Sequence, residues 1–130
     1  GIADAGLAAA PDLLVPAGPW RIGSGRQAIE ALIDAGVDFD GVVGFNDSLA
    51  LGAISALTHA GLDVPGDVSV IGFDDIDEAP FASPPLTTAD PSRHVLAQTA
   101  VDMLVGRIEG ESGPARRVEA PFHIVERASA

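Results

Sequence analysis

The sequence predicts an α/β fold, a parallel-sheet, Rossmann-like lobe, on three observations. Two apolar runs, residues 42–45 and 68–73, each end in a polar cluster, Asn46-Asp47 and Asp74-Asp75. Between them Leu49, Ala50, Ala53, Ile54, Leu57 and Ala60 recur at helical spacing and make one apolar stripe. The second run is almost continuously apolar, the pattern of a parallel strand covered on both faces. A strand–helix–strand unit of this kind puts both polar clusters at the carboxyl ends of parallel strands, the edge where open α/β sheets bind ligands.

The other elements follow in chain order. Residues 1–9 read as the end of a helix that begins before Gly1. Leu13-Leu14-Val15 reads as a short strand, followed by a loop that holds Pro16, Gly18, Pro19 and Trp20. Ala28, Ile29, Leu32 and Ile33 form a helical stripe that stops at Gly36. In the central unit, Asp47 or Ser48 is suited to accept the first free backbone N–H groups as an N-cap. Gly61 is a natural left-handed stop, and Pro65-Gly66-Asp67 is turn chemistry. Residues 74–91 are irregular, with Leu86-Thr87-Thr88 the extended piece. Val95, Leu96, Ala100, Met103 and Leu104 give a third helix that fades between Gly106 and Gly110. Val118, Ala120, Phe122 and Ile124 alternate like a terminal strand, and Pro121 puts it at a sheet edge.

Composition narrows the function. The chain has 130 residues, 47% of them hydrophobic, enough for one domain or a large part of one. Cysteine is absent, which removes disulfides, thiolate catalysis and Cys–zinc sites. Net charge is −12, and the seven basic residues are all arginine. Such a surface repels a phosphate backbone, so this chain alone is not expected to bind nucleic acid. The missing lysine also removes Schiff-base chemistry and P-loop phosphate binding. No run approaches the ~20 apolar residues of a membrane span, and no basic flank marks a signal peptide. The one methionine is Met103, so the chain is expected to be a piece of a longer protein or a processed one.

Several motifs weigh against catalysis. Gly23-Ser24-Gly25-Arg26-Gln27-Ala28 matches a dinucleotide phosphate loop in letters only. Its first glycine should follow a strand directly, whereas Pro16, Pro19 and Trp20 intervene, so it reads as a glycine-rich loop leading into a helix. Asp74, Asp75, Asp77 and Glu78 invite a metal, but Ala79-Pro80 stands where a calcium loop turns on glycine. A phospho-receiver reading would need a lysine. Asp77 and Glu78 read as a solvated acidic loop. His59, His94 and His123 share no ligand spacing, and no nucleophile elbow exists. No catalytic residue, no metal and no cofactor are expected, and the chain is not read as an enzyme.

What remains is a binding site. Trp20 is the one tryptophan. It is either a partly buried anchor or a stacking platform for a sugar ring or a base. Asn46 can donate and accept, and an ionised Asp74 accepts. An aromatic plate with fixed hydrogen-bonding groups suits a small polar ligand, so the candidate ligand-binding residues are Trp20, Asn46 and Asp74.

The segment 44–53, Gly-Phe-Asn-Asp-Ser-Leu-Ala-Leu-Gly-Ala, resembles lac-repressor-type (LacI/GalR family) transcriptional regulators. So do residues 61–75 with Asp63-Val64-Pro65-Gly66-Asp67 and Gly72-Phe73-Asp74-Asp75, the run Pro85-Leu86-Thr87-Thr88, and the ending Ile124-Val125-Glu126-Arg127-Ala128-Ser129. The resemblance runs from Gly1 to Ala130. It implies the C-terminal part of a periplasmic-binding-protein-like (type I) effector domain, in which two lobes hold a ligand in the cleft between them. Residues 1 to about 88 and about 118–130 would form the C-terminal lobe, and about 89–117 would cross toward the other. The helix-turn-helix domain would lie outside this chain, and so would an effector-binding arginine usual just before Gly1. The resemblance carries effector contact to Trp20, Asn46 and Asp74. It further implies a cytoplasmic bacterial repressor that acts as a homodimer of the parent. It would touch DNA only through its helix-turn-helix, would not touch membranes, and would be controlled allosterically by a carbohydrate or nucleobase-like effector. The alternative with the same fold is a periplasmic sugar-binding protein of a transporter, and residues 125–129 favour the regulator. Two departures stand out. Asp90-Pro91 replaces a common glutamine after the Thr-Thr pair, and Ala97 replaces a usual glycine. If residues 90–115 do not dock on their own lobe, Val95, Leu96, Met103 and Leu104 are expected to be exposed, and an exposed apolar stripe invites association.

Overall fold

The computed structural model describes Asp4, Gly6 and residues 11–130; the helix expected over residues 1–9 lies mostly outside the described residues. The described part begins with a short 3-10 turn, Pro11–Leu13, then an irregular stretch. Helix α1 spans Ile22–Asp34, strand β1 Gly41–Val43, helix α2 Asp47–His59 and strand β2 Ser69–Phe73. Strand β3 follows at Thr87–Asp90, helix α3 at Arg93–Ile108 and strand β4 at His123–Val125. Leu13-Leu14-Val15 is therefore not a strand. All three side chains are exposed, and three apolar residues without a sheet neighbour have nothing to pair with.

The four strands form one sheet in the order β1-β2-β3-β4. The first two pairings are parallel, with Val43 opposite Ile71 and Phe73 opposite Ala89. Strand β4 runs antiparallel on the outer edge, with Ala89 opposite Ile124. It is shorter than the alternation from Val118 suggests, because pairing begins only after Pro121, whose nitrogen cannot donate to a ladder.

Helix α2 packs on β1 and β2, and α1 packs along α2. The core gathers Ile29 from α1, Ala50, Ala53, Ile54, Ala56 and Leu57 from α2, and Val68, Val70 and Leu86 from in and around the strands. Along β2 the pattern is half-buried and buried by turns. Val70 and Gly72 are buried, Ile71 is half-buried and Phe73 is exposed. The expectation of full cover on both faces holds only for the face beneath α2 among the described residues.

Two glycines let α1 and α2 cross backbone to backbone. A Cβ on Gly25 would fall on the carbonyl of Leu49, and one on Gly52 would fall on the carbonyl of Ile22. The Gly-x-Gly segment is thus not a loop. Gly23 and Gly25 lie in the first turns of α1, where the second glycine serves helix packing.

The C-terminal segment stitches the sheet. Ser129 is fully buried; its hydroxyl donates to the Val70 carbonyl (2.6 Å) and accepts from the Thr87 N–H (2.8 Å). By contrast no residue of α3 is buried. Val95, Leu96, Val101, Leu104, Val105 and Ile108 are exposed. Met103, expected to be exposed with them, is half-buried against Leu104, Arg107 and Glu111.

Candidate ligand site at the carboxyl edge of the sheet

Parallel pairing sets the site. Because Val43 pairs with Ile71, Asn46 and Asp74 each lie three residues beyond the same rung, past the carboxyl ends of two neighbouring strands. Because Phe73 pairs with Ala89, Asp74 and Asp90 also leave the sheet level with each other. The Asp74 N–H continues the ladder, donating to the Ala89 carbonyl at 2.9 Å.

Asn46, not Asp47 or Ser48, caps α2. Its backbone is extended (φ −150°, ψ 168°) and its side-chain oxygen accepts from the Leu49 N–H at 2.9 Å. The cap fixes the amide. With Oδ1 engaged, Nδ2 is the freer end, and it lies 3.4 Å from the Trp20 carbonyl. Asn46 is therefore pre-set chiefly as a donor toward a ligand.

Asp47 turns inward instead. Its carboxylate is fully buried and accepts from the Ile76 N–H (2.9 Å) and the Thr88 hydroxyl (2.5 Å). It thereby ties α2 to the loop after β2 and to β3. Gly72 makes room for it, since a Cβ there would meet Oδ1 of Asp47.

Asp74 and Asp75 both have positive φ, 119° and 49°. Such backbone costs of order 1–3 kcal/mol per residue and persists where the surroundings hold it. What holds it is visible at Asp75. The Arg127 guanidinium donates to its carboxylate at 2.6 Å and to the Leu86 carbonyl at 2.7 Å. Arg93, at the start of α3, donates to the Asp75 carbonyl at 2.7 Å. Loop, terminal segment and α3 thus meet on the residue beside Asp74.

The Asp74 carboxyl is pushed above its ordinary 3.8, first by desolvation and second by the Asp47 carboxylate, while Arg93 pulls it part of the way back. Since the folded value lies above the unfolded one, ionised Asp74 costs the folded state stability above the folded pKa. The cost fades as pH falls from the folded pKa toward the unfolded value and is gone below it. Asp74→Asn is thus expected to raise the melting temperature at neutral pH, and the gain should shrink as pH is lowered toward 3.8. Thermal scans across that range check it; a gain that does not depend on pH would contradict the assigned cause.

Trp20 is 62% exposed, and its ring lies beside Phe45, 72% exposed, at a centroid separation of 6.5 Å and a tilt of 41°. Of the two sequence readings, a partly buried anchor does not describe it. Nδ2 of Asn46 lies 3.4 Å from the Trp20 carbonyl, and Asp74 follows the end of β2 as Asn46 follows the end of β1. Sequence reasoning missed Phe45, Asp75 and Arg127. Phe45 lies in the bend between β1 and α2, where no periodic pattern tells an exposed side chain from a buried one. No local pattern links Asp75 to Arg127, 52 residues away.

Other acidic groups do not assemble. Asp77 and Glu78 are exposed, as a solvated loop requires, and no group of three or more His, Asp or Glu side chains among the described residues could hold a metal. Asp90 accepts from the Ser92 N–H at 2.8 Å and lies 3.6 Å from Nε2 of His123. A groove of about 580 Å³, lined by Arg26, Leu51, Ile54, Ser55, Thr58, His59, Ala82 and Ser83, shares no residue with this edge.

Comparison with known proteins fits this architecture. The chain matches the family described as "Periplasmic binding protein-like domain" over residues 2–130. It is 37% identical over 107 residues to a lactose operon repressor of Rhizobium radiobacter, covering 82% of this chain and 94% of that sequence. A LacI-type transcription regulator from Bifidobacterium animalis subsp. lactis superposes with a TM-score of 0.93 at 41% identity, covering 98% of this chain and 46% of that one. The complex of the transcriptional regulator CelR with cellobiose superposes at 0.91 and 32% identity, covering 99% of this chain and 39% of that one. Against the HTH-type transcriptional regulator MalR of Clostridium butyricum and a ribose operon repressor of Escherichia coli the chain spans only 35% and 36% of their length. These relatives are regulators rather than transport proteins. The chain belongs to the LacI family of transcriptional regulators, with a periplasmic-binding-protein-like domain over residues 2–130.

Proposed function

We propose that this chain senses a small polar effector, a sugar or a related molecule, for a dimeric transcription regulator, and that Trp20, Asn46 and Asp74 make one wall of the effector cleft. The observation that carries the reading is the convergence of an exposed aromatic face, an amide fixed as a donor and a partly desolvated carboxylate at one carboxyl edge of a parallel sheet. An apolar plate beside directed polar groups suits a ring with one C–H face and several hydroxyls. Asp74 accepts from hydroxyls, Asn46 donates, and Trp20 covers the apolar face.

The edge is open among the described residues, and a second lobe would close it. Residues 1 to about 88 and about 118–130 form this lobe, and about 89–117 crosses to the other. The unburied helix α3, with its exposed valines and leucines, supports that division. Effector held between lobes favours one lobe orientation by its differential affinity. That orientation changes the placement of DNA-binding heads carried outside this chain on two subunits. The clamp of Arg93 and Arg127 on Asp75 joins the Asp74 loop to the start of the crossing segment and to the terminal segment of this lobe, so a ligand that pulls on Asp74 is coupled mechanically to the crossing. The reading places the protein in the cytoplasm and assigns it no reaction.

Trp20→Ala in the intact parent is expected to weaken effector binding by about 1–3 kcal/mol, the contribution of a buried apolar face, with the melting temperature little changed because the ring is exposed. Calorimetric titration of both proteins checks it; unchanged affinity would remove Trp20 from the site.

A further inference from the structure

We propose that Phe45 is a specificity-determining residue, the second panel of an apolar wall shared with Trp20, and that the wall selects effectors with two linked sugar rings over single rings. The inference rests on the reading of this edge as a saccharide site and adds to it the size of the ligand.

Phe45 has no place in the core. Gly44, its neighbour, is buried, and a Cβ there would stand 2.9 Å from the Ala50 nitrogen. Phe45 follows in the bend between β1 and α2, and its ring is left 72% exposed. A large apolar side chain in water at a ligand-binding edge, immediately before the capping residue Asn46, stabilises a complex only if something covers it.

The geometry of the pair says what covers it. The ring centroids are 6.5 Å apart and the planes are tilted by 41°, too close and too inclined for a flat ring to stack between them. A planar heterocycle stacks on one ring or the other and leaves the second bare. Two pyranose or furanose rings joined by a glycosidic bond are not coplanar, and each can lay a C–H face on one panel. Nδ2 of Asn46, 3.4 Å from the Trp20 carbonyl, holds a hydroxyl of the ring on Trp20, while the second ring lies over Phe45. Phe45 therefore acts on the size of the ligand and not on its hydroxyl pattern.

The test is calorimetry on the intact parent protein with cellobiose, maltose, lactose and trehalose against glucose and galactose. At least one disaccharide is expected to bind more tightly than either monosaccharide. Phe45→Ala should weaken that disaccharide by about tenfold, the scale of one lost apolar face, and leave monosaccharide affinity unchanged. Phe45→Tyr, which keeps the ring, should retain the preference. Equal loss for both sugar sizes, or no loss for either, overturns the inference while the saccharide site stands. Absence of binding by every sugar overturns the saccharide reading and the inference with it.

Discussion

Asp47→Ala lowers the stability of the folded chain by about 1–3 kcal/mol for the buried Thr88 hydroxyl it leaves without an acceptor, and by a smaller amount for the partly buried Ile76 N–H. Both donors point at a carboxylate with no solvent exposure. Domains of this size are stable by only about 5–15 kcal/mol, so the loss is a large share of the total. Asp47→Asn should cost roughly half as much, since an amide keeps one acceptor oxygen and turns an N–H₂ toward the other donor. Urea unfolding with an unchanged slope reads the difference directly. A midpoint close to that of the native chain would mean that the two loops hold themselves. Burial is the larger cause of the raised Asp74 carboxyl and remains in Asp47→Asn, which removes the second cause, the Asp47 charge; Asp74 should therefore move part of the way toward its ordinary range, which NMR titration of its carboxyl would follow. Stability and the protonation of the candidate ligand-binding carboxylate are thus joined through one buried group that touches no ligand.

The crossing of α1 and α2 predicts the second large effect. Gly25→Ala and Gly52→Ala each place a methyl group on a backbone carbonyl of the other helix. No side chain can rotate away, so the helices must separate. Overpacking of this kind costs about 1–3 kcal/mol and sometimes more, which outweighs the roughly 0.5–1 kcal/mol that alanine gains over glycine inside a helix. Once the helices have parted, the second methyl group meets less resistance, so the double variant should cost less than the sum of the two. Gly23→Ala is the internal control. It lies in the same helix, two residues before Gly25, and an added methyl group meets nothing within 4 Å. It should stabilise the chain by roughly 0.5–1 kcal/mol. Opposite signs from two neighbouring glycines would show that the motif serves packing; the same sign from both would contradict it.

How much of this was legible in the sequence depends on the range of the interaction concerned. Periodicity located α1, α2, β1 and β2 and put Asn46 and Asp74 at the carboxyl edge, because helical and strand repeats are local and the parallel strand-helix-strand unit fixes the rest. The cap was ambiguous for a local reason. Asn46, Asp47 and Ser48 are three capping residues in a row, and the choice fell to burial, which draws Asp47 toward Ile76 and Thr88, 29 and 41 residues away. The same blindness hid the Arg127–Asp75 pair and the stitching by Ser129, whose partners lie far along the chain. Leu13-Leu14-Val15 looked like a strand because composition alone cannot show whether a neighbouring strand is present. The glycines that open α1 read as a loop because helix propensity disfavours them, and the close approach of α2 explains the place of Gly25 inside the helix.

The direct test of the central claim is the response of DNA affinity to effector in the intact parent. A duplex that the parent selects from random sequence would be labelled, and its binding followed by fluorescence anisotropy with and without the tightest-binding sugar. The sugar should shift the affinity of the native protein for the duplex, and Asp74→Ala should bind the duplex as before while losing the shift. An undiminished response in Asp74→Ala, or a bound sugar that leaves DNA affinity unmoved, would contradict the assignment of this sheet edge as the sensor.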